Sequence, residues 1–165
     1  MGRFNLLANM TWQLKDTSRL LPDSPLETTN GEAGSPKWVG DFNFTWQPRG
    51  GWTVFYGLDV FGKTDDTVDL LDDIGGDDNC INSAIRGTYC LDVKVPMVFY
   101  HAMSVTKEIG DKFEFTLGMS NIFDTRPPRV SVVGNNVIPM IGPVVGTSQY
   151  DFLGRRMFVN VSRRF

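Results

Sequence analysis

Residues 3–15 alternate between apolar and polar with a period of two. Phe4, Leu6, Ala8, Met10, Trp12 and Leu14 fall on one side, and Arg3, Asn5, Asn9, Thr11, Gln13 and Lys15 on the other, with Leu7 the exception. Helical spacing would scatter these residues around a cylinder, whereas strand spacing sorts them. The same alternation recurs over 37–47, where Trp38, Gly40, Phe42, Phe44 and Trp46 oppose Lys37, Asp41, Asn43, Thr45 and Gln47. Over 51–61, Trp52, Val54, Tyr56, Leu58 and Val60 share a side, opposite a mixed set of Thr53, Phe55, Gly57, Asp59 and Phe61. The spacing predicts two further strands, at 97–109 (Phe99, His101, Met103, Val105 and Ile109 against Ser104, Thr106 and Glu108) and at 112–122 (Phe113, Phe115, Leu117 and Met119 against Glu114, Thr116, Gly118 and Ser120). A last one is predicted over 152–165, with Met157, Val159 and Val161 on its apolar side and the aromatic Phe165 at its end.

The connections alternate in length. Residues 16–36, 62–95 and 123–149 are long and broken by Pro and Gly, while 48–50 and 110–111 are tight reversals. Long structureless loops are uncommon in compact soluble domains, but transmembrane barrels pair short turns at one end with long loops at the other. A strand of about 11 residues, rising roughly 3.3 Å per residue and tilted by about 45°, spans roughly 25 Å, the apolar height of such a barrel. Trp12, Trp38, Trp46, Trp52, Tyr56, Phe99 and Phe165 would supply the aromatic girdles at its two rims. The fold class expected is therefore all-β, an antiparallel transmembrane β-barrel fragment of about six long up-and-down strands. Asp41, Asn43, Glu114 and Thr116 are expected to point inward, away from lipid. The alternative is a soluble antiparallel sheet with one solvated face.

Composition narrows the function classes. The net charge is −3 and no basic block is present, so nucleic acid is not expected as a partner. No run of 18 apolar residues could form a membrane-spanning helix. The first residues, Met1-Gly2-Arg3-Phe4-Asn5, lack the basic and apolar regions of a signal peptide, so the chain is expected to be either cytosolic or the tail of something longer. The single histidine, His101, lies on an apolar strand face and is expected to be structural; no nucleophile–base arrangement assembles around it. Two cysteines and one histidine make no zinc motif, and no enzyme, metal or cofactor is expected. The acidic segment from Asp65 to Asp78 could ligate a hard cation, but its spacing does not match an EF-hand, and a solvated loop is the plainer expectation.

The run Leu117-Gly118-Met119-Ser120-Asn121-Ile122-Phe123-Asp124-Thr125-Arg126-Pro127-Pro128 resembles the C-terminal barrel of TonB-dependent outer-membrane receptors. In that family the penultimate strand ends in Gly-x-x-Asn-[Leu/Ile]-Phe-Asp-x-x-Pro-Pro, and Gly118, Asn121, Ile122, Phe123, Asp124, Pro127 and Pro128 match it. Tyr100-His101-Ala102-Met103-Ser104-Val105 is similar to the strand before, and Tyr150-Asp151 to Gly154-Arg155-Arg156 is similar to the approach to the last strand. The resemblance covers 95–165 with specific motifs and 1–94 through strand-and-loop pattern alone.

The resemblance implies a location in the outer membrane of a Gram-negative bacterium and a 22-stranded barrel plugged by a preceding domain. It implies uptake of a scarce ligand (siderophore, cobalamin or glycan) with energy delivered by the TonB system through that plug. Outer-membrane barrels also end in an aromatic residue read by the insertion machinery. Met157, Val159, Val161 and Phe165 fit that signal; Arg163 departs from it, since an aromatic is common there. Six strands without a plug or a TonB box imply the last part of a longer receptor, with 16–36, 62–95 and 123–149 outside the cell and the 48–50 and 110–111 turns in the periplasm. If the chain is exported, Cys80 and Cys90, with nine residues between them, are expected to form a disulfide; a cytosolic chain would keep both reduced. A passive porin-like barrel and a soluble β-sandwich binding module are the competing readings.

Overall fold

The computed structural model describes residues 2–19, 21–32, 34–67, 80–84, 87–110, 112–130 and 149–163. The chain is all-β. Its elements are β1 (Arg3–Trp12), β2 (Thr17–Ser18), β3 (Glu27–Thr28), β4 (Trp38–Gln47), β5 (Trp52–Phe61), β6 (Thr64–Asp65), β7 (Cys80–Ser83), β8 (Gly87–Cys90), β9 (Lys94–Val95), β10 (Val98–Ile109), β11 (Phe113–Ser120) and β12 (Arg156–Arg163). The six long strands form one antiparallel sheet in the order β1-β4-β5-β10-β11-β12, so each pairs with its nearest long neighbours in the chain. The sheet is open, with β1 and β12 as its edges.

Register sorts the residues as the alternation requires, because opposed residues of an antiparallel pair share a face. One row crosses all six strands as Phe4, Trp46, Val54, Val105, Leu117 and Val159. The opposite face begins Asn5, Thr45, Phe55, Ser104 and Gly118 and ends on Phe158. We call the first the outer face and the second the inner face. A Cβ on Gly118 would collide with the Phe158 ring, so a side chain there would displace the ring that covers it.

Several strand ends differ from the alternation. β1 stops at Trp12 rather than 15, although the Gln13 N–H still donates to the Lys37 carbonyl at 2.8 Å. Beyond it, Asp16 gathers the chain into a small β2–β3 ladder: its carboxylate accepts from Thr29 Oγ1 (2.8 Å) and Ser35 Oγ (3.1 Å), and its carbonyl accepts from Thr28 Oγ1 (2.9 Å). β11 ends at Ser120 rather than 122, because Asn121 takes a φ of 48°. β12 begins at Arg156 rather than 152, since the Asp151 carboxylate accepts the Leu153 and Gly154 amides and holds them in a turn. Residues 164–165, including Phe165, lie outside the described residues.

The 62–95 segment is more ordered than a plain loop in its described parts. β6 pairs with β9, and β7 pairs with β8, where Cys80 and Cys90 stand opposite one another and are joined by a disulfide. A small core of Val95, Val98, Tyr100 and Tyr150, flanked by Phe61 and Val130, sits on the inner face at the end of the sheet where the long connections emerge. The Phe61 ring meets those of Tyr100 and Tyr150 edge-on at 5.9 and 6.0 Å.

Candidate functional site

Among the described residues, the outer face of the sheet is a continuous, mainly apolar surface. It carries Phe4, Leu6, Ala8, Met10 and Trp12 on β1, then Trp38, Gly40, Phe42, Phe44 and Trp46 on β4. β5 adds Trp52, Val54, Tyr56, Leu58 and Val60, and the apolar alternation continues through β10 and β11 to Met157, Val159 and Val161. Many of these side chains are open to solvent in the isolated chain, among them Leu6 at 68%, Met103 at 44% and Met157 at 67%. A monomeric soluble surface rarely exposes more than a few hundred Å² of contiguous apolar patch. All four tryptophans lie on this face: Trp12 pairs with Trp38 near the long connections, and Trp46 and Trp52 flank the β4–β5 turn.

The polar groups of the outer face are few and partnered. Tyr56 and His101 share a hydrogen bond of 2.6 Å between the hydroxyl and Nδ1, and the Phe123 ring stands edge-on to the imidazole at 4.8 Å. Such a pair lowers the cost of placing either group in an apolar surrounding. The inner face carries aromatic residues and a small apolar core at the loop end but is otherwise mainly polar. Asn9 and Asn43 both donate to Asp41 Oδ2 at 3.0 Å, and Thr106 and Thr116 hydroxyls bond across β10 and β11 at 2.8 Å. Asp41, Asn43, Glu114 and Thr116 all fall on this face.

The two stretches singled out by resemblance meet in space. Asn121, 3% exposed, donates from Nδ2 to the Thr125 carbonyl (2.9 Å) and to Asp151 Oδ2 (3.2 Å), and its Oδ1 accepts the Thr125 amide at 2.8 Å. Asp151 also receives Arg156 Nη2 at 3.1 Å, and its own amide donates to the Tyr100 hydroxyl at 3.0 Å. Asp124 Oδ1 accepts the Arg155 amide at 3.0 Å. Gly154, with a φ of 72°, permits that approach, since a Cβ there would lie 2.6 Å from Asp124 Oδ1. Gly118 lies earlier on β11, beneath Phe158, and the Ile122 amide donates to the His101 carbonyl at 3.0 Å. Phe123 packs on His101, whereas Pro127 and Pro128 enter none of these contacts. The motif thus works as a latch between the exit of β11 and the start of β12.

A cleft of about 420 Å³ opens above the latch on the inner side, walled by Asp59, Phe61, Tyr100, Tyr150, Asp151 and Arg156. Burial pushes the Tyr150 phenol above its ordinary pKa. In the acidic segment, Asp65 accepts from the hydroxyl and amide of Thr67 and pairs with Lys94 at 3.5 Å, and the Thr67 hydroxyl bond first of all holds its carboxyl below the usual range. Asp69, Asp72, Asp73, Asp77 and Asp78 lie outside the described residues.

Sequence reasoning passed over Lys107, which stands on the outer face beside Trp52 and Phe115. The signal was available, because 107 continues the odd-numbered apolar set of β10 and breaks it with a charge. Known protein families, curated proteins and solved structures return no match to this chain.

Proposed function

We propose that this sheet is the membrane-spanning C-terminal portion of an outer-membrane barrel of the TonB-dependent receptor kind, and that the complete barrel imports a scarce ligand such as a siderophore, cobalamin or glycan. The observation that carries the membrane part is the outer face: apolar across six paired strands, with tryptophans toward both ends and a polar face behind. From Trp38 to Trp46 the strand rises about 26 Å, or about 20 Å along a membrane normal at the usual tilt, comparable to the apolar band of such barrels. Lipid would cover the outer face without a second protein layer. The open edges of β1 and β12 then require further strands, because unpaired backbone groups are not tolerated in hydrocarbon.

The receptor part rests on the resemblance at Gly118–Pro128, supported by the latch that joins those residues to Asp151 and Arg155. In this reading the terminal strand, with Met157, Val159 and Val161 facing lipid, is what the barrel-insertion machinery engages, and the TonB system acts through a plug belonging to the whole receptor.

The membrane reading is tested in the complete barrel reconstituted in vesicles containing brominated lipids, with Trp12, Trp38, Trp46 and Trp52 each kept in turn as the only tryptophan. All four tryptophans should be quenched by bromines placed near the glycerol level and shielded from aqueous iodide. Free access of iodide in the presence of vesicles would defeat it. The receptor reading is tested by reading the gene upstream of Met1: a plug domain in frame supports it, and a barrel without one favours a passive porin-like channel.

A further inference from the structure

Pro127 and Pro128 take no part in the latch, yet they fix how the chain leaves it. Proline locks its own φ at about −65°, and a residue that precedes proline is held extended. Arg126 and Pro127 both precede a proline, so 126–128 are confined to the polyproline II region, and neither turn nor strand is formed there. That helix has about three residues per turn, each rising roughly 3.1 Å, so positions 126 and 129 fall on one side, about 9 Å apart along the chain. Both positions are arginine.

A cleft of about 310 Å³ beside the latch is lined by both arginines, with Pro127, Phe152 and Leu153 as its apolar wall. Two carboxylates reach the same cleft, and each is engaged elsewhere. Asp151 pairs with Arg156 Nη2 at 3.1 Å, and Asp124 Oδ1 accepts the Arg155 amide at 3.0 Å. Among the described residues, neither the Arg126 nor the Arg129 guanidinium has a hydrogen-bond or ion-pair partner. A guanidinium binds phosphate or carboxylate oxygens two at a time, and two of them carried on a stiff backbone give up less freedom in doing so.

We propose that this cleft binds an organic anion, a phosphate or carboxylate attached to an apolar body. Arg126 and Arg129 take the oxygens, and Pro127, Phe152 and Leu153 cover the apolar part. The cleft is built by the latch alone. Absence of a plug upstream, which would defeat the receptor reading, would leave it in place.

The test is modification of arginines by phenylglyoxal, read peptide by peptide in the complete barrel held in a neutral detergent. Phenyl phosphate should slow the modification of Arg126 and Arg129, at lower concentration than inorganic phosphate does. Arg49, in the turn between β4 and β5, should be unaffected. R126Q should raise the phenyl phosphate concentration that protects Arg129 roughly ten-fold, as expected for the loss of one charge-assisted contact, and R129Q should do the same for Arg126. Hydrogen exchange of the Arg155 amide should be equal in both variants and the parent, which shows the latch intact. Phosphatidic acid added to the micelles separates two sources of the anion. Protection by phenyl phosphate assigns a soluble ligand, and protection by phosphatidic acid alone assigns a lipid headgroup. Unchanged modification of Arg126 and Arg129 with either anion, equal protection of Arg49, or undiminished protection of Arg129 in R126Q would overturn the site.

Discussion

The two ends of the sheet are held together in different ways. At the turn end the contacts are short in sequence or directly cross-strand: β4 and β5 are joined through Gly50 and Gly51, both with positive φ, and the Glu108 amide reaches the Gly51 carbonyl at 2.8 Å. The side chains there are rings and cations, as in Lys107 over Trp52. At the loop end the contacts are polar and span long stretches of chain. Asn121 and Asp151 are 30 positions apart, and Asp151 and Tyr100 are 51 apart. A hairpin turn fixes its own geometry, whereas strands joined by long connections keep register at their far ends only if something else ties them. The latch supplies that tie.

The comparison presumes that both ends share one apolar face, and the largest predicted effect tests that presumption. On the proposed membrane reading, Phe42→Arg, near mid-strand on the outer face, should destabilise the complete barrel in lipid by about 2–4 kcal/mol in denaturant titrations. Thr45→Arg, on the inner face, should cost well under half as much. Equal costs would erase the distinction between the faces.

Next in size is the latch. Asn121→Ala strips the Thr125 amide and carbonyl of their partner and removes one of the donors to Asp151, in a nearly buried place, and should cost about 1–3 kcal/mol. Hydrogen exchange localises it: the Arg155 amide should lose protection, and the Glu108 amide at the turn end should not. A uniform loss at both ends would mean that the two ends are not independent. Arg156→Gln removes a half-exposed ion pair with Asp151 and an exposed hydrogen bond from Nε to the Ser120 hydroxyl, so its effect on the same exchange rates should stay below about 1 kcal/mol.

The smallest effect is a pH response. Hydrogen bonds from Thr29, then Ser35, hold the Asp16 carboxyl below its ordinary pKa of 3.8. A depressed folded-state value contributes stability that is complete above the ordinary value and is lost as pH falls through the folded one. Protection of the Thr29 amide should therefore be level from neutrality to near that value and fall only in stronger acid. Loss of protection already around neutrality would contradict the assignment.

The turn end was legible in the sequence because its rules are local. Alternation gave the facing of Trp46, Trp52 and Phe115, and the Gly-rich reversals gave the pairing of β4 with β5 and of β10 with β11. The loop end was legible only in its parts. Asn121, Asp124 and Asp151 each stood in a stretch marked by resemblance, but no spacing announces that a carboxylate at 151 reaches an amide at 121. The strand limits failed for the same reason. Residues 13–15 continue an alternating pattern and 152–155 lead directly into one, yet Asp16 and Asp151 offer the nearby backbone and hydroxyl groups competing partners. The small ladders within 62–95 carry too few residues for a period to be read.

The order of the six long strands also bears on how such a sheet can change over time. Every long strand is bonded only to the long strands before and after it, and direction alternates along the row. If the hairpin of β4 and β5 were deleted, β1 and β10 would face each other with opposite directions, as an antiparallel ladder requires. The insertion of another hairpin would likewise leave every existing direction unchanged. The unit of growth is thus a pair of strands, and a wall built this way can be widened or narrowed by duplication and loss of such pairs without rethreading the chain.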